Sequence, residues 1–141
     1  MADVRGALER QGMNEDDIGQ GDAVLFNYGW AMNWGNPSKY NDNYIGVGEN
    51  EGSPGIFTEV TRWLVSKKIA IVGADSCCVE VRPRPGPENV HRILFRGEGI
   101  PMVENMDLRE LAADEAYEVL FITLSERLKG ATGSMVRPIA I

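Results

Sequence analysis

His91 and Glu104, thirteen residues apart, are the two side chains of this 141-residue sequence whose types and spacing point to metal chemistry. Imidazole and carboxylate are the usual non-sulfur ligands of zinc and manganese, and a helix carrying His91 followed by a strand ending at Glu104 brings both to one rim. A lone histidine beside Val90 and Ile93 is more commonly a hydrogen-bonded surface or semi-buried residue, and a glutamate after Met102-Val103 more commonly a strand end. A metal site needs three or four ligands, so the pair alone leaves both readings open.

Other chemistries find less support. No Gly-x-Ser-x-Gly elbow is present for a serine nucleophile. Cys77 and Cys78 are sequence neighbours, which rules out the usual relaxed disulfide, and no Cys-x-x-Cys spacing exists to grip a metal or run redox chemistry. They read as core or loop thiols in a reducing, cytoplasmic setting. Gly46 to Gly52 resembles a dinucleotide fingerprint, but its third glycine comes one residue late, no strand precedes it, and two glutamates would face the pyrophosphate. Lys129 to Ser134 lacks the Gly-Lys-Ser/Thr ending of a phosphate loop and reads as a tight turn or an anion-sized nest. Trp30, Trp34, Tyr40 and Tyr44 are either packing residues or an aromatic wall around a ring-shaped substrate.

The elements that must position these residues follow from patterning. Asp3 predicts the N-cap of a short helix through Val4, Ala7 and Leu8, closed by Gly12. Residues 23–30 are aromatic and β-branched, a strand buried on both faces. Residues 33–54 read as a long loop with at most a helical turn. Ile56, Val60, Trp63 and Leu64 share one helical face, with Lys67 and Lys68 at the end that the helix dipole favours. Residues 69–75 form a buried strand ending in Asp75, at the strand end where α/β folds place ligand sites. Then come a brief strand at 79–81, a proline-rich connector, a helix from Val90 to Phe95 closed by Gly97 or Gly99, and a short strand at 100–104. Asp107 and Glu110 predict a capping box, and residues 117–124 and 136–141 two further strands.

Composition supports one soluble domain spanning residues 1–141: 43% hydrophobic and 25% charged residues exclude wholesale disorder and a disulfide-built miniprotein. Fourteen basic against 21 acidic residues give a net charge of −7, which repels nucleic-acid phosphates and anionic lipid. No apolar run approaches a bilayer span and the N-terminus has no signal-like apolar region, so neither nucleic acid nor a membrane is an expected partner.

In order, Gly21-Asp22-Ala23-Val24-Leu25, Gly29-Trp30, Pro54-Gly55, the Trp63-Leu64 helix, Val72-Gly73-Ala74-Asp75, Val90-His91, Gly99-Ile100, Val103-Glu104-Asn105, Leu108-Arg109-Glu110-Leu111 and Leu128 to Ser134 run through nearly the whole chain. This succession resembles the cyclase family of metal-dependent hydrolases, which includes kynurenine formamidase and isatin hydrolase. The resemblance implies an α/β fold of mixed sheets with helices, a swivelling β/β/α domain. It also implies a zinc or manganese site that activates water against an amide, formamide or cyclic amide. Within the family pattern His91 and Glu104 look like the two downstream metal ligands. The family's other ligands and its catalytic histidine lie in a His-x-Gly-Thr-His-x-Asp-x-Pro-x-His motif, which a chain with one histidine does not contain, so no catalytic residue is assigned here. The expectation is the C-terminal portion of such a hydrolase, truncated at its N-terminus, inactive alone and completed by a separate N-terminal half. The alternative is a non-catalytic remnant acting through a partner or itself. Either way the unpaired apolar faces at 23–28 and 117–124 predict a homo-oligomer.

Overall fold

The structure, a computed structural model, describes residues 1–40 and 52–141. At its centre lies a parallel sheet in the order β1-β2-β3, with β1 at Ala23–Phe26, β2 at Ile71–Ala74 and β3 at Met102–Val103. Parallel neighbours require a crossover. Helix α1 (Ala2–Arg10) precedes the sheet, α2 (Thr58–Lys67) lies between β1 and β2, and a π-helix (Arg92–Glu98) lies between β2 and β3.

The register explains how so few strand residues organise two faces. Val24, Val72 and Met102 stand in one row and Leu25, Gly73 and Val103 in the next. Since alternate side chains point to opposite faces, Val24, Phe26, Val72, Ala74 and Met102 join the core with Ile56, Val60, Leu64, Val90 and Leu94 from the crossover segments. Leu25, Ile71 and Val103 turn the other way, toward Met106, Leu108, Leu111, Phe121 and Val136. Leu64 and Leu94 are fully buried, each worth roughly 2–3 kcal/mol in apolar area removed from water.

Helix α2 keeps Val60 and Leu64 of its expected face in the core, with Trp63 partly buried and Thr61 buried beside them; it starts at Thr58, so Ile56 packs into the core from the segment ahead of it, and Lys68 ends it in the left-handed region at φ 57°. Several local expectations are corrected. Met1, not Asp3, is the N-cap of α1, and its ammonium pairs with Glu59 at 2.8 Å. β1 stops at Phe26 and is half-buried throughout, because it is an edge strand rather than a central one. Residues 79–81 make only an isolated bridge, Glu80 to Ile56, followed by a second from Arg82 to Ser53. Leu108 rather than Asp107 holds the N-cap position of α3 (Arg109–Ala113), and no capping box forms; Asp107 Oδ1 still accepts the backbone N–H of Arg109 at 3.3 Å, while the carboxylate also accepts from Arg109 Nε at 2.8 Å and Nη2 at 2.6 Å. Residues 41–51, half of the loop expected at 33–54, lie outside the described residues, and with them Tyr44 and all of the glycine-rich run 46–52 except Gly52.

The C-terminal segment departs furthest from its pattern. The eight-residue strand expected at 117–124 contracts to β4 (Phe121–Ile122), paired antiparallel with β5 (Ile139–Ala140). A strand extends only as far as its partner, and here the ladder closes on the reciprocal bonds of Leu120 and Ile141 at 2.9 and 3.1 Å. Lys129 to Ser134 forms an exposed turn in which the Ala131 N–H reaches the Leu128 carbonyl at 3.1 Å. Among the described residues no helix is long and apolar enough to cross a membrane.

Candidate metal-binding site

His91 sits in the helical turn that leads into the π-helix. Asn89 Oδ1 accepts the Arg92 N–H at 3.1 Å and so caps that turn, while Val90 and Leu94 on either side of the histidine anchor it in the core. Glu104 follows β3 directly. The structure brings the two together: His91 Nε2 lies 3.2 Å from Glu104 Oε1, with each side chain about one-third exposed.

Glu80, a residue that sequence reasoning passed over, holds the histidine from behind. Its carboxylate is buried; Oε1 accepts the Val90 N–H at 2.9 Å, and Oε2 stands 3.3 Å from His91 Nδ1 and 3.1 Å from Arg82 Nη2. The His91–Glu80 approach is an ion-pair contact without hydrogen-bond geometry. Two glycines let the backbone supporting Glu80 be clamped. A Cβ on Gly55 would lie 2.2 Å from the Glu80 carbonyl carbon, and one on Gly52, at φ 109°, 1.7 Å from the Arg82 oxygen. The only signal in the sequence was a carboxylate between two valines, Val79-Glu80-Val81.

The hydrogen bond that Glu104 accepts from the imidazole raises the His91 pKa above the ordinary 6.5; burial opposes this, the charges of Glu104 and Glu80 add to it, and Arg82 opposes it.

Glu104 is placed by stitching between strand ends. The N–H groups of Asn105 and Met106 reach the Ser76 and Ala74 carbonyls, both at 3.0 Å. The buried Tyr40 hydroxyl donates to Asn105 Oδ1 at 2.7 Å and lies 3.3 Å from the Asp75 carbonyl. Asp75 does lie at the C-terminal end of β2, yet its buried carboxylate is committed to backbone, accepting the N–H groups of Tyr28, Trp30 and Ala31. It is a staple between β1 and β2 rather than a free donor.

A cavity of about 290 Å³ opens at the same strand ends, lined by Met32, Trp34, Tyr40, Asn105, Asp107 and Arg109 among others. Trp34 meets Tyr40 edge to face at 5.2 Å and Trp30 packs on Tyr40 at 6.4 Å. His91 and Glu104 do not line this cavity, although Asn105 does.

The separation of His91 and Glu104 fits a shared ion, since two ligand bonds of about 2 Å at a tetrahedral angle put their donors roughly 3.3 Å apart. Their number does not complete a site: among the described residues no group of three or more His, Cys, Asp or Glu is arranged to hold a metal ion.

The family model described as Cyclase matches residues 1–81, more than half of the sequence. The chain belongs to the cyclase family. The fold agrees with that assignment. The crystal structure of a novel cyclase superposes with a TM-score of 0.80 at 29% identity, covering 99% of this chain and 45% of that one. An isatin hydrolase bound to the product analogue thioisatinate superposes with a TM-score of 0.75 at 22% identity, covering 99% of this chain and 51% of that one. This cyclase-family chain thus spans about half the length of both solved structures. His91 and Glu104 lie beyond the residues matched by the family model, in the part reached by the structural likeness alone. No curated protein matches the chain.

Proposed function

We propose that this chain is the part of a metal-dependent, cyclase-family hydrolase of amides, formamides or cyclic amides that contributes His91 and Glu104 to a site completed by donors from outside these 141 residues. The observation that supports the reading most is the 3.2 Å convergence of His91 Nε2 and Glu104 Oε1 from separate elements. Zinc or manganese, when bound, supplies Lewis acidity for the substrate carbonyl and a more acidic water. This chain's own residues do the positioning: the buried Glu80 carboxylate stands 3.3 Å from Nδ1 and holds the Val90 N–H beside the histidine, Nε2 faces Glu104, and the Tyr40–Asn105 bond fixes the residue after Glu104. Trp34 and Tyr40 offer an aromatic wall to a small-molecule substrate at the same strand ends.

The test is complementation. Adding a polypeptide that bears the histidine motif, with zinc or manganese, is expected to produce hydrolysis of an N-formyl aromatic amine or a cyclic amide that neither half shows alone. No activity from the mixture, with both halves folded, would contradict the proposal. A second reading, a non-catalytic domain acting through self-association, draws on the exposed apolar residues Leu120, Leu124, Met135 and Ile141 of the C-terminal segment. Sedimentation separates the two, because a concentrated, well-behaved monomer leaves that reading without its partner.

A further inference from the structure

The adjacent thiols of Cys77 and Cys78 have no part in the site described above. Both are free, Cys78 buried and Cys77 half-buried, and their sulfur atoms stand 3.1 Å apart on the same side of the chain. Adjacent residues in an extended strand point to opposite faces, so this approach reflects the local backbone. Immediately afterwards Val79, fully buried and β-branched, is held in the left-handed region at φ 54°, and the Glu80 N–H turns back to the Cys78 carbonyl. A β-branched residue takes that conformation only where its surroundings over-determine it. Here the surroundings are the core around Val79 and the Ile56 N–H, which bonds the Val79 carbonyl at 2.8 Å. The fold therefore presents the two sulfurs to each other, and Ser53 Oγ lies 3.7 Å from Cys77 Sγ.

We propose that Cys77 and Cys78 form a reversible redox-modification site, closing to a vicinal disulfide in reaction with a small-molecule disulfide of the glutathione class, and that the closure is transmitted to Glu104. The half-buried Cys77 thiolate attacks one sulfur of the oxidant, whose S–S bond breaks and releases one thiolate, leaving a mixed disulfide on Cys77. Cys78 gives its proton to the released thiolate and attacks the Cys77 sulfur, breaking the mixed S–S bond and expelling the second thiolate, which takes from solvent the proton that Cys77 had lost. Two protein thiols are oxidised and one external disulfide is reduced to two thiols. The electrostatics agree with this order: the Cys78 contact first, then Ser53, hold the Cys77 thiol down, to about 6, against its burial, while the Cys77 contact and burial push Cys78 up. Neighbouring Cα atoms lie about 3.8 Å apart, closer than the 4.4 Å or more of a relaxed disulfide, so the ring is strained and readily reduced. Transmission follows from the bond between the Ser76 carbonyl and the Asn105 N–H, which joins the residue before Cys77 to the residue after Glu104.

The experiment incubates the folded chain with oxidised glutathione, alkylates remaining thiols and measures the intact mass, with the ring resonances of the single histidine followed in parallel. Expected are a monomer lighter by two hydrogens that takes up no alkylating reagent, its reversal by dithiothreitol, and a shift of the His91 resonances on oxidation. Cys78→Ser is expected to stop at one glutathione adduct, on Cys77. Two alkylated thiols, a stable adduct on the unsubstituted chain or a disulfide-linked dimer would overturn the site. Unmoved His91 resonances in the oxidised monomer would overturn its connection to Glu104.

Discussion

The parallel sheet and the C-terminal segment are built from similarly apolar sequence, and the chain treats them differently. In the sheet, four-residue strands suffice because each row of side chains meets a covering layer, and residues such as Leu64, Val72 and Leu94 disappear from solvent. In the C-terminal segment, residues as apolar as Leu124 and Met135 remain 84% and 87% exposed around a ladder of two residues per strand. Hydrophobic pattern alone does not make a strand; a paired neighbour and a covered face do. The candidate site draws its groups from the covered region, where backbone and buried carboxylates hold side chains at fixed separations.

Truncation at the two ends of this contrast should give the widest spread in stability. Leu94→Ala is expected to cost about 3 kcal/mol in urea unfolding, because it leaves a cavity where the π-helix meets the sheet. A loss under 1 kcal/mol would mean that the sheet is no better covered than the arm. Glu80→Gln comes next, at about 2 kcal/mol, since it removes the buried charge facing Arg82 and His91 while leaving an acceptor for the Val90 N–H. The same variant should lower the His91 pKa in an NMR titration, and an unchanged value would remove Glu80 from its holding role.

His91 gives a finer measure. Its pKa in the folded chain is raised above 6.5 by Glu104, so its contribution to stability is fully present below the unfolded value and is lost as pH rises through the folded one. Glu104→Gln should bring the titration midpoint down and flatten that pH dependence. A midpoint unmoved by the substitution would separate the two residues. The smallest effect belongs to the arm: Leu124→Ala should change stability by no more than about 0.5 kcal/mol in dilute monomer. A larger loss would show that Leu124 is covered in solution.

What the sequence disclosed follows the same division. The helix at 58–67, the strands at 71–74 and 102–103 and the convergence of His91 with Glu104 were legible, because apolar spacing and strand-end placement depend on residues close in sequence. Asp75 was placed correctly at its strand end but read as ligand-facing; its three backbone N–H partners come from a segment more than forty residues earlier, a pairing that no local pattern announces. Glu80 was missed for the same reason, since its role depends on the Val90 turn and on glycines that let residues 52–56 lie against it. At Asp107 local logic was half right: the carboxylate accepts the first N–H of the helix, from Arg109, but shares itself with the Arg109 guanidinium, and the Glu110 half of the box does not form.

Zinc titration of the isolated chain, read at the ring resonances of its only histidine, tests the central claim most directly. The account predicts weak, saturable perturbation centred on the Nε2 side of His91, abolished by Glu104→Gln and retained in a Cys77→Ser, Cys78→Ser double variant. Saturating zinc that leaves His91 unperturbed, or perturbs it equally without the Glu104 carboxylate, would contradict the claim that these two side chains form one half of a metal site.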